Sequence, residues 1–204
     1  MGSVIFSFYM INIPSEVVEY QRKVIESFTD IPFFQLLTYG DHGHSIDQFI
    51  KKTVSDIYIL FDIDCIPLNK SVIERFVSAA KEDRLIGCAQ RFPLIKNNKH
   101  IYVAPCAMAF SRKLWETLGC PSFCRTDRGD VAEEMTFKCE EKGIPISYLM
   151  PTHVVKPLID LVGEYKYGFG TTYDNDIFHA FRIRQRKTKD MFLTECKKVL
   201  GNKV

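Results

Sequence analysis

The most chemically loaded stretch of the sequence is Phe61-Asp62-Ile63-Asp64-Cys65-Ile66-Pro67, where two carboxylates two residues apart close the apolar run Ile57-Tyr58-Ile59-Leu60-Phe61. On a pleated strand, residues i and i+2 point to the same side, so Asp62 and Asp64 can reach one cation. Two unpaired carboxylates at a buried strand end repel each other and are costly to desolvate. A divalent metal removes that cost. Mg2+ and Mn2+ prefer oxygen ligands and bind through one or two carboxylates together with substrate phosphates. Held there, the ion neutralises charge on a departing diphosphate. The plainer alternative is a pair of aspartates that cap a loop or a helix.

Other residue types extend this chemistry. Asp130 is the first candidate for a general base: a carboxylate at a helix start can lie within reach of an acceptor hydroxyl, and the helix dipole favours its ionised form. Glu133 is the second candidate, and the competing reading makes Asp130 and Glu133 a capping box. His179 is a candidate third metal ligand, with His153 as its competitor. His42, His44 and His100 read as loop residues. Arg91, after the fourth strand, is a candidate for a bidentate phosphate contact or is simply solvated. Gly168 and Gly170 allow close backbone approach to a ligand, or form a flexible loop. Tyr165, Tyr167, Phe169 and Tyr173 offer stacking surface for a sugar or base, or core packing. Arg182, Arg184, Arg186, Lys187 and Lys189 read as a solvated helix face, with an anionic donor or a partner surface as the alternative.

These residues need a scaffold. The patterning predicts strands at 4–11, 32–39, 56–63, 85–89, 101–109 and 144–149. It predicts helices from Ser15, capped by Ser15 itself after Pro14, from about Ser45, and over 71–81, 113–118, 127–142 and 176–200. Gly143 fits the position just past a helix end, and a polar turn falls at 96–99. After Pro157 the pattern loosens. The run at 56–63 is apolar on both faces, as in a parallel sheet. Alternating strands and helices over the first ninety residues predict an open, doubly wound α/β sheet, with ligands beyond the carboxyl ends of its strands.

Composition bounds the reading. The chain has 204 residues, 46% of them apolar, which suits a single domain with a sizeable core. Its 27 basic and 25 acidic residues leave a charge of +2, which makes no case for nucleic acid or an anionic membrane. The seven cysteines, an odd number without a secretory signal, read as reduced thiols. Cys120 and Cys124 lack the second pair that a zinc site needs. No apolar run reaches the roughly 18 residues of a transmembrane segment. With no targeting signal, a cytoplasmic protein is the expectation.

Against this background, residues 55–68 resemble the Asp-x-Asp segment of GT-A-type glycosyltransferases. The segments 101–112 with Leu114 and Trp115, 129–135 with Gly143, 167–173 and 177–179 resemble further parts of that family. The resemblance implies a GT-A-like (Rossmann-like), mostly parallel central sheet flanked by helices. A nucleotide-sugar-binding half would cover 1–95, an acceptor-side half 96–175 and a basic terminal helix 176–204. It implies Mn2+ or Mg2+ held by Asp64, with Asp62 touching the donor ribose or sugar and sharing the metal. It places the catalytic base of inverting members in the acidic stretch where Asp130, Glu133 and Glu134 compete, and makes His179 a metal ligand. By resemblance Asp47 contacts the donor nucleotide; as an early helix residue it equally suits the dipole. The implied donor is a UDP- or GDP-sugar and the acceptor a glycan or glycoprotein. Two rival readings stand beside this one. A haloacid-dehalogenase-type phosphatase also carries an apolar strand followed by Asp-x-Asp, but here Cys65-Ile66-Pro67 follows and two strand–helix units precede. A non-catalytic sugar-binding module is the other.

Overall fold

The computed structural model describes residues 2–92 and 99–201, so the predicted turn at 96–99 lies outside them but for Lys99. The chain opens with β1 (Ser3–Tyr9), α1 (Ser15–Glu26), β2 (Phe33–Leu37), α2 (His42–Lys52) and β3 (Ile57–Phe61). It continues through β4 (Cys65–Pro67), α3 (Lys70–Lys81), β5 (Leu85–Gln90), β6 (Tyr102–Ser111), α4 (Arg112–Thr117), α5 (Glu133–Glu141) and β7 (Ile146–Leu149). The last elements are β8 (Pro151–Asp160), β9 (Lys166–Tyr173), β10 (Ile177–His179) and α6 (Arg186–Gly201). The main sheet has the order β2-β1-β3-β6-β5-β7. Only β6 runs against the others, pairing antiparallel with β3 and β5. The result is an α/β fold with a mostly parallel central sheet.

Strand β3 shows why this sheet is covered on both faces. All five of its residues are buried. Ile57, Ile59 and Phe61 enter one apolar cluster with Val17, Val24, Val72 and Phe76 of α1 and α3. Tyr58 and Leu60 enter a second, with Ile46, Phe49 and Met135 of α2 and α5. The period-2 alternation of a strand thus feeds two helical layers. Each large side chain taken fully from water contributes roughly 1.5–3 kcal/mol.

A smaller sheet, β4-β10-β9-β8, adjoins the first. Strand β4 follows β3 directly, so the Asp62–Asp64 turn lies at the joint between the sheets. Tyr173, Ile177 and Phe178 of the small sheet share the first apolar cluster with α1 and α3, which joins both sheets over one core.

Several boundaries differ from those expected. Pro14, not Ser15, stands at the start of α1, and no side chain caps it. Helix α2 begins at His42, because Asp41 accepts the His44 N–H at 3.0 Å and caps it. His42 and His44 are therefore helical. The helix expected over 127–142 contracts to α5. Ala132 has φ 67°, which cannot continue a helix, and a bridge joins Thr126 to Gly129, so Asp130 stands ahead of the helix. The loosely patterned region after Pro157 is the β8–β9 hairpin, not an irregular loop. Gly168 is needed there because a Cβ would come within 2.3 Å of the Lys156 carbonyl oxygen across the pair. The terminal helix starts ten residues later than expected, because β10 and a left-handed turn at Phe181 and Arg182 precede it. Asp62 and Asp64 follow β3 in a turn rather than on the strand, closed by the Cys65 N–H bond to the Asp62 carbonyl at 2.9 Å. No helix among the described residues is long and apolar enough to cross a membrane.

Candidate active site

The metal candidates meet because two sheets meet. Strand β10 pairs antiparallel with β4, and the register sets His179 opposite Cys65. His179 is thereby one residue from Asp64, and the Ala180 N–H bond to the Asp64 carbonyl at 2.9 Å extends the pairing. The main sheet holds the other side of the turn through the Asp62 N–H bond to the Cys106 carbonyl at 2.9 Å. From below, Gln21 of α1 donates to the carbonyls of Asp62 at 2.6 Å and Cys65 at 3.0 Å.

Ligand atoms of Asp62, Asp64 and His179 all lie within 4.8 Å of one another. Asp64 Oδ1 is 3.3 Å from His179 Nε2, and Asp64 Oδ2 accepts the Ile183 N–H at 3.3 Å. Asp62 Oδ1 is 3.2 Å from Nε2 of His42. Asp64 and His179 are buried, whereas 24% of the Asp62 side chain is exposed. Burial pushes the Asp62 carboxyl up to about 6, with Asp64 adding to the rise and His42 opposing it. Burial opposes charge on the His179 ring, but Cys106 and Asp64 beside it outweigh that and raise it well above the usual imidazole range. The Nδ1 atom of His179 is buried without a hydrogen-bond partner.

This donor set fits a divalent cation. Two carboxylates and an imidazole are oxygen and nitrogen donors of the kind Mn2+ and its neighbours accept. A cation between them would offset the burial and the neighbouring Asp64 charge that raise Asp62.

The group opens into a cleft of about 420 Å³ that Asp130 also lines. Arg125 holds Asp130 Oδ1 through Nε at 3.1 Å and Nη2 at 2.9 Å, and itself lies over the Phe92 ring. The structure therefore brings Asp62, Asp64, His179 and Asp130 to one cleft. It does not bring Glu133, Asp47 or Arg91 there. Glu133 is fully buried beneath Asp130, accepting the Asp130 N–H at 2.7 Å and lying 2.7 Å from His100 Nδ1. That is half of a capping box: the Glu133 carboxylate bonds the Asp130 N–H, but the Glu133 N–H bonds the Asp130 carbonyl oxygen, not its side chain. Asp47 accepts from the Ser122 hydroxyl at 2.6 Å and the Phe123 N–H at 3.0 Å, so it secures the loop ahead of α5. Arg91 lies one residue beyond Gln90, which does line the cleft, and its carbonyl accepts from Tyr167. His153 is exposed on β8.

Sequence reasoning missed His42 as a cleft residue and Gln21 as the buried support of the turn, and it offered Arg182 and Arg184 for an anionic donor only as the alternative to a solvated helix face. Asp41 before His42 was the signal for an earlier helix start. Gln21 is a polar residue on the apolar stripe of Val17, Val24 and Ile25, which is a signal in itself.

No known protein family matches the chain in sequence, and no curated protein matches it. The similarity is in the fold. The cytidylyltransferase acting on 2-C-methyl-D-erythritol 4-phosphate from Thermus thermophilus superposes with a TM-score of 0.52 at 8% identity, covering 97% of this chain and 100% of that one. A mannosyltransferase from Pyrobaculum calidifontis, solved with GDP-Man and Mn2+, gives 0.49 at 13% identity over 72% of this chain and 54% of that one. The 4-diphosphocytidyl-2C-methyl-D-erythritol synthase of Anaerococcus prevotii gives 0.48 at 10% identity, over 72% and 88%. The chain shares its α/β fold with the Thermus cytidylyltransferase. Fold alone does not separate sugar transfer from nucleotidyl transfer.

Proposed function

We propose that the chain is a metal-dependent glycosyltransferase that moves a sugar from a UDP- or GDP-sugar to a hydroxyl of a glycan or glycoprotein acceptor. The observation that carries this is the convergence of Asp62, Asp64 and His179 on one point in the cleft beyond the central strand. Mn2+ or Mg2+ bound by these three would supply charge neutralisation for a departing diphosphate.

The loop between β1 and α1 supports sugar transfer over nucleotidyl transfer. A nucleoside triphosphate is commonly cradled by glycines whose backbone N–H groups open a helix. Here the loop is Met10-Ile11-Asn12-Ile13-Pro14, without glycine or basic residues, and Pro14 removes a donor. Glu16 in the first turn of α1 adds a negative charge. That segment suits an apolar contact with a base better than a triphosphate, which favours a diphosphate-sugar donor.

In the reaction, the bond between the anomeric carbon and the donor phosphate oxygen breaks, and one forms from the acceptor oxygen to that carbon. The nucleoside diphosphate leaves with the bonding pair. The acceptor proton passes to Asp130 if configuration inverts. If configuration is retained, the proton goes to the departing phosphate oxygen and Asp130 positions the acceptor. Arg125 keeps Asp130 oriented in either case.

Asp64→Ala should lose Mn2+ binding and Mn2+-dependent hydrolysis of UDP- and GDP-sugars, measured by release of the nucleoside diphosphate. Retained turnover in this variant would defeat the assignment. Release of pyrophosphate from CTP, with no turnover of any nucleotide-sugar, would shift the reading to nucleotidyl transfer.

A further inference from the structure

Beyond β10 the chain turns sharply over the cleft. Phe181 and Arg182 have φ of 62° and 58°, a left-handed conformation that such side chains adopt only when their surroundings impose it. The surroundings are visible. Asp64 accepts from the N–H groups of both Ala180, through its carbonyl at 2.9 Å, and Ile183, through Oδ2 at 3.3 Å. The Phe181 ring packs edge-on against His179, with centroids 5.6 Å apart. The buried Thr188 hydroxyl holds the Arg182 carbonyl at 2.7 Å.

What this turn presents is positive charge. Arg182 and Arg184 are exposed, and both line the cleft that holds Asp62 and Asp64. Neither has a carboxylate partner among the described residues. By contrast Arg75, Arg112, Arg125 and Arg128 are each paired with an acid. A divalent cation that also answers Asp62 and Asp64 would neutralise only part of the charge of a bound diphosphate. Two guanidinium groups match that charge and the fork geometry of phosphate oxygens.

We propose that Arg182 and Arg184 form a phosphate clamp, holding the diphosphate of a nucleoside diphosphate or its sugar ester across the cleft from Asp62 and Asp64. The clamp rests on the metal-site reading given above and goes beyond it in one respect. Asp64 serves both the metal group and the backbone of the turn, so metal and diphosphate occupancy are linked through a single carboxylate.

The test is calorimetric. Mn2+ alone is titrated first; then UDP, GDP and inorganic pyrophosphate are titrated at saturating Mn2+. The proteins are wild type, Arg182→Ala, Arg184→Ala and the control Lys187→Ala, which removes one positive charge outside the cleft. The clamp predicts unchanged Mn2+ affinity in every variant and a loss of roughly tenfold or more in diphosphate affinity for each arginine variant only. Without Mn2+, wild-type affinity for the diphosphates should fall as well. Equal diphosphate affinity in wild type and the arginine variants would overturn the clamp. So would a wild type that takes up Mn2+ and none of the three probes, or a Lys187→Ala loss as large as the arginine losses. A wild type that takes up no Mn2+ but binds UDP or GDP through the arginines would leave the clamp standing and sink the metal reading. Both arginines are exposed, and circular dichroism of the variants checks that their folds are intact.

Discussion

At the scale of single residues, the turn that carries Asp62 and Asp64 depends on a side chain far from it in sequence. Gln21 is fully buried, and its amide nitrogen satisfies the carbonyls of both Asp62 and Cys65. Its oxygen accepts from Gln35, whose amide also reaches the Val18 carbonyl. A leucine of similar volume would keep the packing but remove the side-chain donor that the two carbonyls share. Gln21→Leu is expected to weaken Mn2+ binding roughly ten- to hundredfold, the range found when outer partners of metal ligands are removed. Gln21→Asn keeps an amide on a shorter stem, so Mn2+ affinity nearer to wild type in that variant than in Gln21→Leu would separate positioning from bulk packing. Mn2+ affinity equal to wild type in Gln21→Leu would reject the role. The carboxylate pair itself was legible in the sequence, since an apolar run ending in Asp-x-Asp is a local pattern. The support from Gln21 was not legible, because it depends on which face of a helix meets which turn.

At the scale of elements, charge ties α5 to His100. His100 lies between Glu133, 2.7 Å from Nδ1, and Glu140, 3.1 Å from Nε2, and stacks on Phe137. Burial works against charge on this ring, but Glu133 and Glu140 outweigh it and raise its pKa. A raised folded-state pKa means that the contribution to stability is fully present below the unfolded value of about 6.5 and is lost as pH rises through the folded value. The melting temperature of wild type should therefore exceed that of His100→Gln most at acidic pH, and the gap should close as pH rises past neutrality. A gap independent of pH would show that the ring acts by packing alone. The elements also show where patterning works. Strands β1, β3 and β5 and helices α1 and α3 were found within a few residues, because each has a buried apolar face whose period is visible locally. The β8–β9 hairpin was not, since most of β8 is exposed and its side chains carry little alternation. The helix expected from Asp127 failed at Ala132, whose left-handed backbone follows from the packing of the preceding loop, not from a residue type that announces it.

At the scale of the whole molecule, ligand binding should register as stability. A ligand that binds only the folded chain stabilises it by about 2.7 kcal/mol at a hundred times its dissociation constant. For a chain of this size that is a rise of roughly 5–10 °C in melting temperature. Mn2+ with UDP or GDP is expected to produce a concentration-dependent rise of this order in wild type and none in Asp64→Ala. A rise that is the same in both proteins would place the nucleotide away from the acidic turn.

The amino-acid order alone determined the alternation of the first three strands and two helices, the apolar central strand and the acids at its tip. Each is a short-range pattern of polarity. Only the tertiary structure decided that β10 pairs with β4, that His179 and not His153 faces Asp64, that Glu133 lies in the core, and that Arg182 and Arg184 reach the cleft. The meeting of His179 with Asp64 depends on the register between strands more than a hundred residues apart in the chain. The free energy that selects that register comes from burying one shared core, which no local window contains.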